Sequence, residues 1–277
     1  MLTVQELLRS GDDLAGDSAR RESEILLGYC LGESRAWLYT WPEKAVSEQC
    51  AQRFTHLLAR RRDGEPIAYL IGEREFWSLS LAVNRATLIP RPETETLVAW
   101  VLELDLPDAA KVLDLGTGSG AIALAVAHER PLWQVTALDS SAEALATVHS
   151  NAIKHGLGRV AIVQSDWYET LAAARFNALL ANPPYIDGAD PHLDCGDVRF
   201  EPRSALVSEN QGLADLQRVV AGAPLHLCSD GWLLLEHGFE QGDAVRTMLR
   251  EAGFGSVSTR FDIAGLERIT GGCWHAD

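Results

Sequence analysis

The sequence is short of the features that staple or anchor a chain. Its five cysteines, Cys30, Cys50, Cys195, Cys228 and Cys273, are odd in number, far apart and without a C-x-x-C pair. That spacing argues against a disulfide framework or a zinc site and reads as reduced thiols, so no metal is expected. No apolar run approaches the ~20 residues that cross a bilayer. The segment from Met1 to Glu6 has no basic stretch ahead of an apolar one, so neither an anchor nor a signal peptide is expected, which points to the cytoplasm. Positive charge is scarce too, at a formal net charge of −15. Residues 1–90 carry 11 Lys and Arg against 13 Asp and Glu, whereas residues 91–277 carry 13 against 26. An acidic C-terminal part repels a phosphate backbone and weighs against direct DNA binding. Internal repeats and low-complexity stretches are absent.

What is present is the composition of a globular protein, 47% hydrophobic and 23% charged, long enough to bury one large core or two modest ones. Helical spacing runs from the start to about Arg62. Leu7 and Leu8 fit a first helix; Ser18 is placed to cap a second carrying Ile25, Leu26, Cys30 and Leu31; Ser47 is placed to cap one with Phe54, Leu57 and Leu58 inward. The run Arg60-Arg61-Arg62 then reads as a solvated last turn complementing the helix dipole, with an RNA or protein contact as the alternative. Between Ile67 and Ile89 the rhythm becomes strand-like, in 68–72, 75–79 and 81–83. Pro92 suits the first position of a further helix, and Arg91 beside it suits either a pocket or a surface ion pair.

From Lys111 strands and helices alternate. Strands are expected at Val112 to Leu115, Trp133 to Leu138, Val160 to Val163, Phe176 to Ala181, Trp232 to Leu235 and Ser256 to Phe261. Helices are expected at Ala121 to Glu129, Ala142 to His155, Leu213 to Leu227 and Asp243 to Ala252. The fold class is therefore α/β, a doubly wound, mostly parallel sheet with a small N-terminal helical domain joined by a β-hairpin. The expected boundaries are 1–66 for the helical domain, 67–90 for the hairpin linker and 91–277 for the sheet domain.

The chain is organised around Asn182-Pro183-Pro184-Tyr185, which follows the buried strand Phe176 to Ala181. Ligands of open α/β sheets bind at the carboxyl ends of strands, so this loop is placed for chemistry. Two prolines stiffen it and remove two N–H donors. The Asn182 side-chain oxygen and the Pro183 carbonyl remain as acceptors suited to a planar –NH2 group, with Tyr185 able to lie against it. The plainer alternative is a proline turn closing a strand.

Asp114-Leu115-Gly116-Thr117-Gly118-Ser119-Gly120 joins the first sheet strand to its helix, and its G-x-G-x-G spacing departs from the dinucleotide fingerprint. An acidic residue ahead of it favours a nucleoside without pyrophosphate, such as S-adenosylmethionine. Asp139 ends the next strand, where a carboxylate accepts ribose hydroxyls; a helix cap is its alternative. Asp166-Trp167 follows the third strand, with Trp167 suited to an adenine face or to packing.

Together these features resemble a class I S-adenosylmethionine-dependent methyltransferase, Rossmann-like in fold, acting on a planar amide or amine nitrogen. More narrowly, R-R-R-D-G-E-P-I-A-Y-L-I-G, F-W-S-L, L-I-P-R-P-E-T-E, N-P-P-Y-I and D-V-R-F-E-P resemble the release-factor glutamine-N5 methyltransferases, the PrmC/HemK family. The similarity spans nearly the whole chain except Leu2 to Asp17 and Gly265 to Asp277. It implies N5 methylation of the glutamine in the Gly-Gly-Gln motif of bacterial class I peptide release factors, leaving S-adenosylhomocysteine as the product. It further implies that Gly116, Thr117, Gly118, Ser119, Gly120, Asp139, Trp167 and Asn182 bind cofactor. The substrate glutamine falls to Asn182, Pro183, Pro184 and Tyr185, with Asn182, Pro183 and Tyr185 catalytic. A monomer is expected. Asp197 and Glu201 follow the loop as acidic groups without an assigned role. Two rivals stand beside this reading: an adenine-N6 nucleic-acid methyltransferase, opposed by the acidic charge, and a non-catalytic release-factor or ribosome binder, opposed by the intact loops.

Overall fold

The computed structural model describes residues 1–14, 16 and 18–275. Two compact units divide them, one of Met1–Glu73 with Asp194–Phe200, the other of Arg74–Leu193 with Glu201–Asp277.

The first unit holds α1 (Val4–Arg9), α2 (Ala19–Leu31), α3 (Arg35–Thr40), α4 (Glu48–Arg62) and α5 (Ile67–Ile71). Thr3 and Glu6 form a reciprocal capping box on α1, and Ser47 caps α4 by accepting from Cys50 N. Ser18 begins α2 but gives its hydroxyl to Glu22 at 2.9 Å instead of capping the backbone. Leu7, Leu8, Leu26, Leu27, Leu38, Phe54, Leu57 and Leu58 fill the core. Ile25, expected inward, stays half-buried while Leu27 takes the place.

Two expectations for this region are corrected. Residues 67–71 are helical, not a strand: Pro66 opens the turn and Gly72 closes it in the left-handed conformation at φ 79°. Ile67, Tyr69 and Ile71 carry strand propensity, but proline before and glycine after are helix punctuation, and Leu70 packs into the helical core. The triple arginine is a last turn that is solvated only in part: Arg62 is exposed, Arg60 and Arg61 are half-buried, and all three are ion-paired. Arg60 pairs with Glu65 at 2.7 Å, Arg62 with Asp13 at 2.8 Å, and Arg61 bridges Glu22 and Asp197, both at 2.7 Å. Asp197 thereby has a structural role, in the helical unit.

A hairpin of β1 (Glu73–Phe76) and β2 (Leu79–Ala82) follows. Trp77 and Ser78, expected within a strand, form its two-residue turn at φ 50° and 61°. A positive φ at both central positions matches the right-handed twist of the flanking strands.

The sheet unit then runs α6 (Glu95–Glu103), β3 (Lys111–Leu115), α7 (Ala121–Glu129), β4 (Gln134–Asp139), α8 (Ala142–Lys154), β5 (Ala161–Gln164) and β6 (Phe176–Ala181). After these come β7 (Ile186–Asp187), β8 (Val207–Ser208), α9 (Glu209–Gly212), α10 (Ala214–His226), β9 (Leu227–Glu236), α11 (Gly242–Glu251), β10 (Gly255–Phe261) and β11 (Glu267–Trp274). Seven strands pair in the order β10-β11-β9-β6-β3-β4-β5. Every neighbouring pair from β9 to β5 is parallel, and β11 runs antiparallel to both β9 and β10. Alternate residues feed two cores. Val112, Ala178 and Leu180 meet Leu97, Val101 and Ile122 on one face. Leu113, Leu115, Leu179 and Ala181 meet Leu216, Val219 and Val245 on the other.

β11 has no counterpart in the sequence-based assignment. Gly271 and Gly272 weaken its strand signal, yet packing requires them. A Cβ on Gly271 would sit 2.4 Å from Leu234 Cδ2, and one on Gly272 2.9 Å from Phe254 Cβ. From the edge strand β5 the chain returns to place β6 on the far side of β3. That reversal opens a crevice at the carboxyl ends of β3 and β6.

Candidate active site

The loop after β3 turns on three left-handed glycines, Gly116, Gly118 and Gly120, at φ 72°, 57° and 86°. Beneath it lies Asp114, fully buried. Its Oδ2 accepts from Thr117 Oγ1 at 2.5 Å and from Ala123 N at 3.1 Å. Burial pushes this carboxyl up to about 7, and Oδ1 has no partner.

Asp139 closes β4. Its Oδ2 accepts from Gly118 N and its Oδ1 from Ser141 N, both at 2.9 Å. Ser141, not Asp139, caps α8, accepting from Ala144 N at 3.2 Å. The Asp139 carboxylate is thus fixed against the glycine loop and lines the cavity.

Trp167 holds a strained φ of 49°, and its indole lies over Gly116, 3.7 Å from where a Cβ there would stand. Its Nε1 donates to Asp215 Oδ1 at 3.3 Å, and Asp215 Oδ2 accepts from Ser208 Oγ at 2.7 Å. Asp166 pairs with Arg218 at 3.0 Å. A flat ring beside a glycine backbone leaves a slot suited to a nucleobase.

At the end of β6, Asn182 Nδ2 donates to Thr94 Oγ1 at 3.3 Å. With Nδ2 held there, Oδ1 is the acceptor left for a ligand. Arg91 pairs with the buried Glu201, whose Oε2 also accepts from Ile89 N at 3.0 Å. Of the two options raised for Arg91 the pocket holds, since it lines the cavity, while its ion pair is made to a buried carboxylate and not at the surface. Tyr185 turns inward and donates its hydroxyl to Glu236 Oε1 at 3.3 Å; burial raises that phenol. The Tyr185 carbonyl accepts from Gln241 Nε2 at 3.0 Å.

A cavity of about 230 Å³ joins these pieces. Gly116, Thr117, Gly118, Ser119, Asp139, Trp167, Asn182 and Pro184 all line it. Gly120 is instead the residue from which α7 starts. Pro183 is buried and Tyr185 is anchored on Glu236, and neither lines the cavity. Thr94, Asp215, Arg218 and Glu236 went unread in the sequence as site groups. Glu236 alone carried a usable signal, as a carboxylate ending a strand beside β6. The glycine-lined backbone, the Asp139 acceptor and the open face at Gly118, where a Cβ would meet nothing within 4 Å, fit a nucleoside cofactor.

This strand order is that of the class I methyltransferase fold. A methyltransferase from Pyrococcus furiosus superposes with a TM-score of 0.56 at 16% identity, covering 80% of this chain and 100% of its own. The Thermus thermophilus 16S rRNA methyltransferase RsmC, solved with AdoMet and guanosine, gives 0.51 at 18%, covering 73% and 49%. At such identities the likeness is one of fold. A family model described as the PrmC N-terminal domain matches residues 6–72, and one described as the methyltransferase small domain matches residues 94–201. A Shewanella oneidensis protein named release factor glutamine methyltransferase is 50% identical over 260 residues, covering 94% of this chain and 91% of its own. A Pseudomonas aeruginosa protein of the same name is 50% identical over 274 residues, covering 99% of each. The chain belongs to the release factor glutamine methyltransferase family.

Proposed function

We propose that the enzyme methylates the side-chain amide nitrogen, N5, of the glutamine in the Gly-Gly-Gln motif of bacterial class I peptide release factors, using S-adenosylmethionine. The reading rests chiefly on Asn182, whose amide is turned by Thr94 so that its oxygen serves the cavity shared with the glycine loop. The names of the relatives support the choice of substrate.

In this reading Gly116 to Ser119 would approach the cofactor with backbone, Asp139 would accept its ribose hydroxyls and Trp167 would cover its base. S-adenosylmethionine supplies an electrophilic methyl on a sulfonium. Asn182 Oδ1 accepts an N–H bond of the glutamine amide and holds its nitrogen in line with that methyl, whereas Pro183, outside the cavity lining, stiffens the loop instead of gripping the amide. Pro184 shapes the loop, and Tyr185 anchors it through Glu236. Strong base catalysis is unnecessary, because an N-methylated, N-protonated amide is very acidic and gives its proton to water. Alignment and the fixed acceptor provide the rate.

The helical unit is assigned to recognition of the release factor, since the groups that would handle cofactor and amide all lie in the sheet unit. No described helix is long and apolar enough to cross a membrane, and the proposed substrate places the enzyme in the cytoplasm. Incubating a purified release factor with the enzyme and labelled S-adenosylmethionine, followed by peptide mass spectrometry, tests the assignment. A methyl on the Gly-Gly-Gln glutamine is expected; an unmodified motif contradicts it.

A further inference from the structure

The Asn182 loop rests on a carboxyl group that the proposed reaction does not require. Glu236 ends β9, is 1% exposed, and has Oε2 buried without a hydrogen-bond partner. Its other oxygen accepts from Tyr185 of the same loop. A buried, half-satisfied carboxyl is costly to keep and is a poor device for stability alone.

Burial pushes the group up to about 7. Thr94, Arg268 and Tyr185 favour its charged form and Glu93 opposes it. Arg268 is itself paired with Asp262 at 3.2 Å, and Arg91, which also acts on Tyr185, is paired with Glu201. His237, next in the chain, is occupied by Thr270 Oγ1 and Gly238 O. Among these groups Thr94 is the hydroxyl left to serve the Glu236 carboxyl.

Thr94 is 4% exposed and accepts from Asn182 through its only side-chain oxygen. A hydroxyl carries one hydrogen, and when buried that hydrogen needs an acceptor. Where it goes decides which way Asn182 faces. We infer that Glu236 is a positioning residue for methyl transfer: as a carboxylate it takes the hydroxyl hydrogens of Tyr185 and Thr94, so that Thr94 is left to accept from Asn182 Nδ2 and Asn182 Oδ1 stays turned to the substrate amide. A neutral carboxylic acid donates to Thr94 instead. The Thr94 hydrogen is then free to bind Asn182 Oδ1, the carboxamide reverses, and the substrate nitrogen meets a donor where it needs an acceptor.

The inference rests on the assignment of Asn182 to the substrate amide, and the experiment separates the two. Single-turnover methyl transfer to a release factor is measured at saturating cofactor from pH 5.5 to 9 for wild type, Glu236→Gln, Thr94→Val, Thr94→Ser and Asn182→Ala. Thermal melts and calorimetric cofactor titration run alongside. Wild type is expected to lose rate as pH falls through about 7. Glu236→Gln is expected to bind cofactor normally, turn over about tenfold or more slower, and lose that acidic limb. Thr94→Val should slow the rate similarly, with Thr94→Ser restoring it. A slow Asn182→Ala beside a Glu236→Gln of wild-type rate and unchanged acidic limb overturns this inference alone; a wild-type rate in Asn182→Ala overturns the assignment beneath it. Should Glu236→Gln fail to fold, the threonine pair decides, and a wild-type rate in folded Thr94→Val overturns the inference.

Discussion

The backbone N–H of Gly118 donates to Asp139 Oδ2 at 2.9 Å, so the glycine turn after β3 and the carboxylate ending β4 form a single brace. On the proposed ribose contact, removing Asp139 takes away a ligand acceptor and loosens the loop together. Asp139→Ala is expected to weaken S-adenosylmethionine binding by roughly 1.5–3 kcal/mol, the scale of hydrogen bonds to a charged group, and to leave a folded protein. Calorimetric titration giving an unchanged dissociation constant would refute the ribose assignment.

Asp114 makes stability depend on pH in the opposite sense from a surface carboxylate. Its folded-state value is raised from 3.8 to about 7, so the folded protein holds the proton more tightly than the unfolded chain. Its contribution is fully favourable below pH 4 and is lost as pH rises to 7. The loss is on the order of 4 kcal/mol from this group, and Glu236 acts with the same sign. Asp114→Asn is expected to flatten the decline in urea-unfolding free energy over that window; an unchanged slope contradicts the burial argument.

The hairpin belongs energetically to the sheet unit. Phe76, Leu79 and Leu81 are all buried in its larger core. A fragment starting at residue 86 loses three such side chains, each about 1.5–3 kcal/mol when fully buried, whereas one starting at residue 74 keeps them. The longer fragment should melt cooperatively at higher temperature, bind cofactor, and methylate intact release factor poorly. Equal melting temperatures contradict the packing, and full kcat/KM in the longer fragment contradicts a recognition role for the helical unit.

Legibility in the sequence followed locality. Phe176–Ala181 and Ala121–Glu129 are found at the bounds the sequence indicates, because long apolar runs ending at polar or glycine signals leave few alternatives. β11 was invisible because the close approach that demands Gly271 and Gly272 comes from Leu234 and Phe254, which no local pattern reveals. At the site, Asp139, Trp167 and Asn182 were legible as polar or aromatic residues at successive strand ends. Thr94 was not: it meets Asn182 from 88 positions away, through a fold that first has to be built. The same holds for Asp215 under Trp167 and Glu236 under Tyr185.

Asn182 carries the central claim, and its alanine variant tests that claim most directly. On the proposed roles, Asn182→Ala removes the acceptor and frees the substrate amide to rotate, while Asp139, Trp167 and the glycine loop keep the cofactor. Asn182→Asp retains an acceptor but adds charge, and should be impaired less. The measurement is single-turnover methyl transfer to a release factor at saturating cofactor, with folding verified by thermal melt. Loss of rate on the order of 10²-fold or more, with cofactor affinity nearly unchanged, is the expected result. A folded Asn182→Ala enzyme transferring methyl at the wild-type rate would remove the loop from the mechanism and leave a proline turn closing a strand.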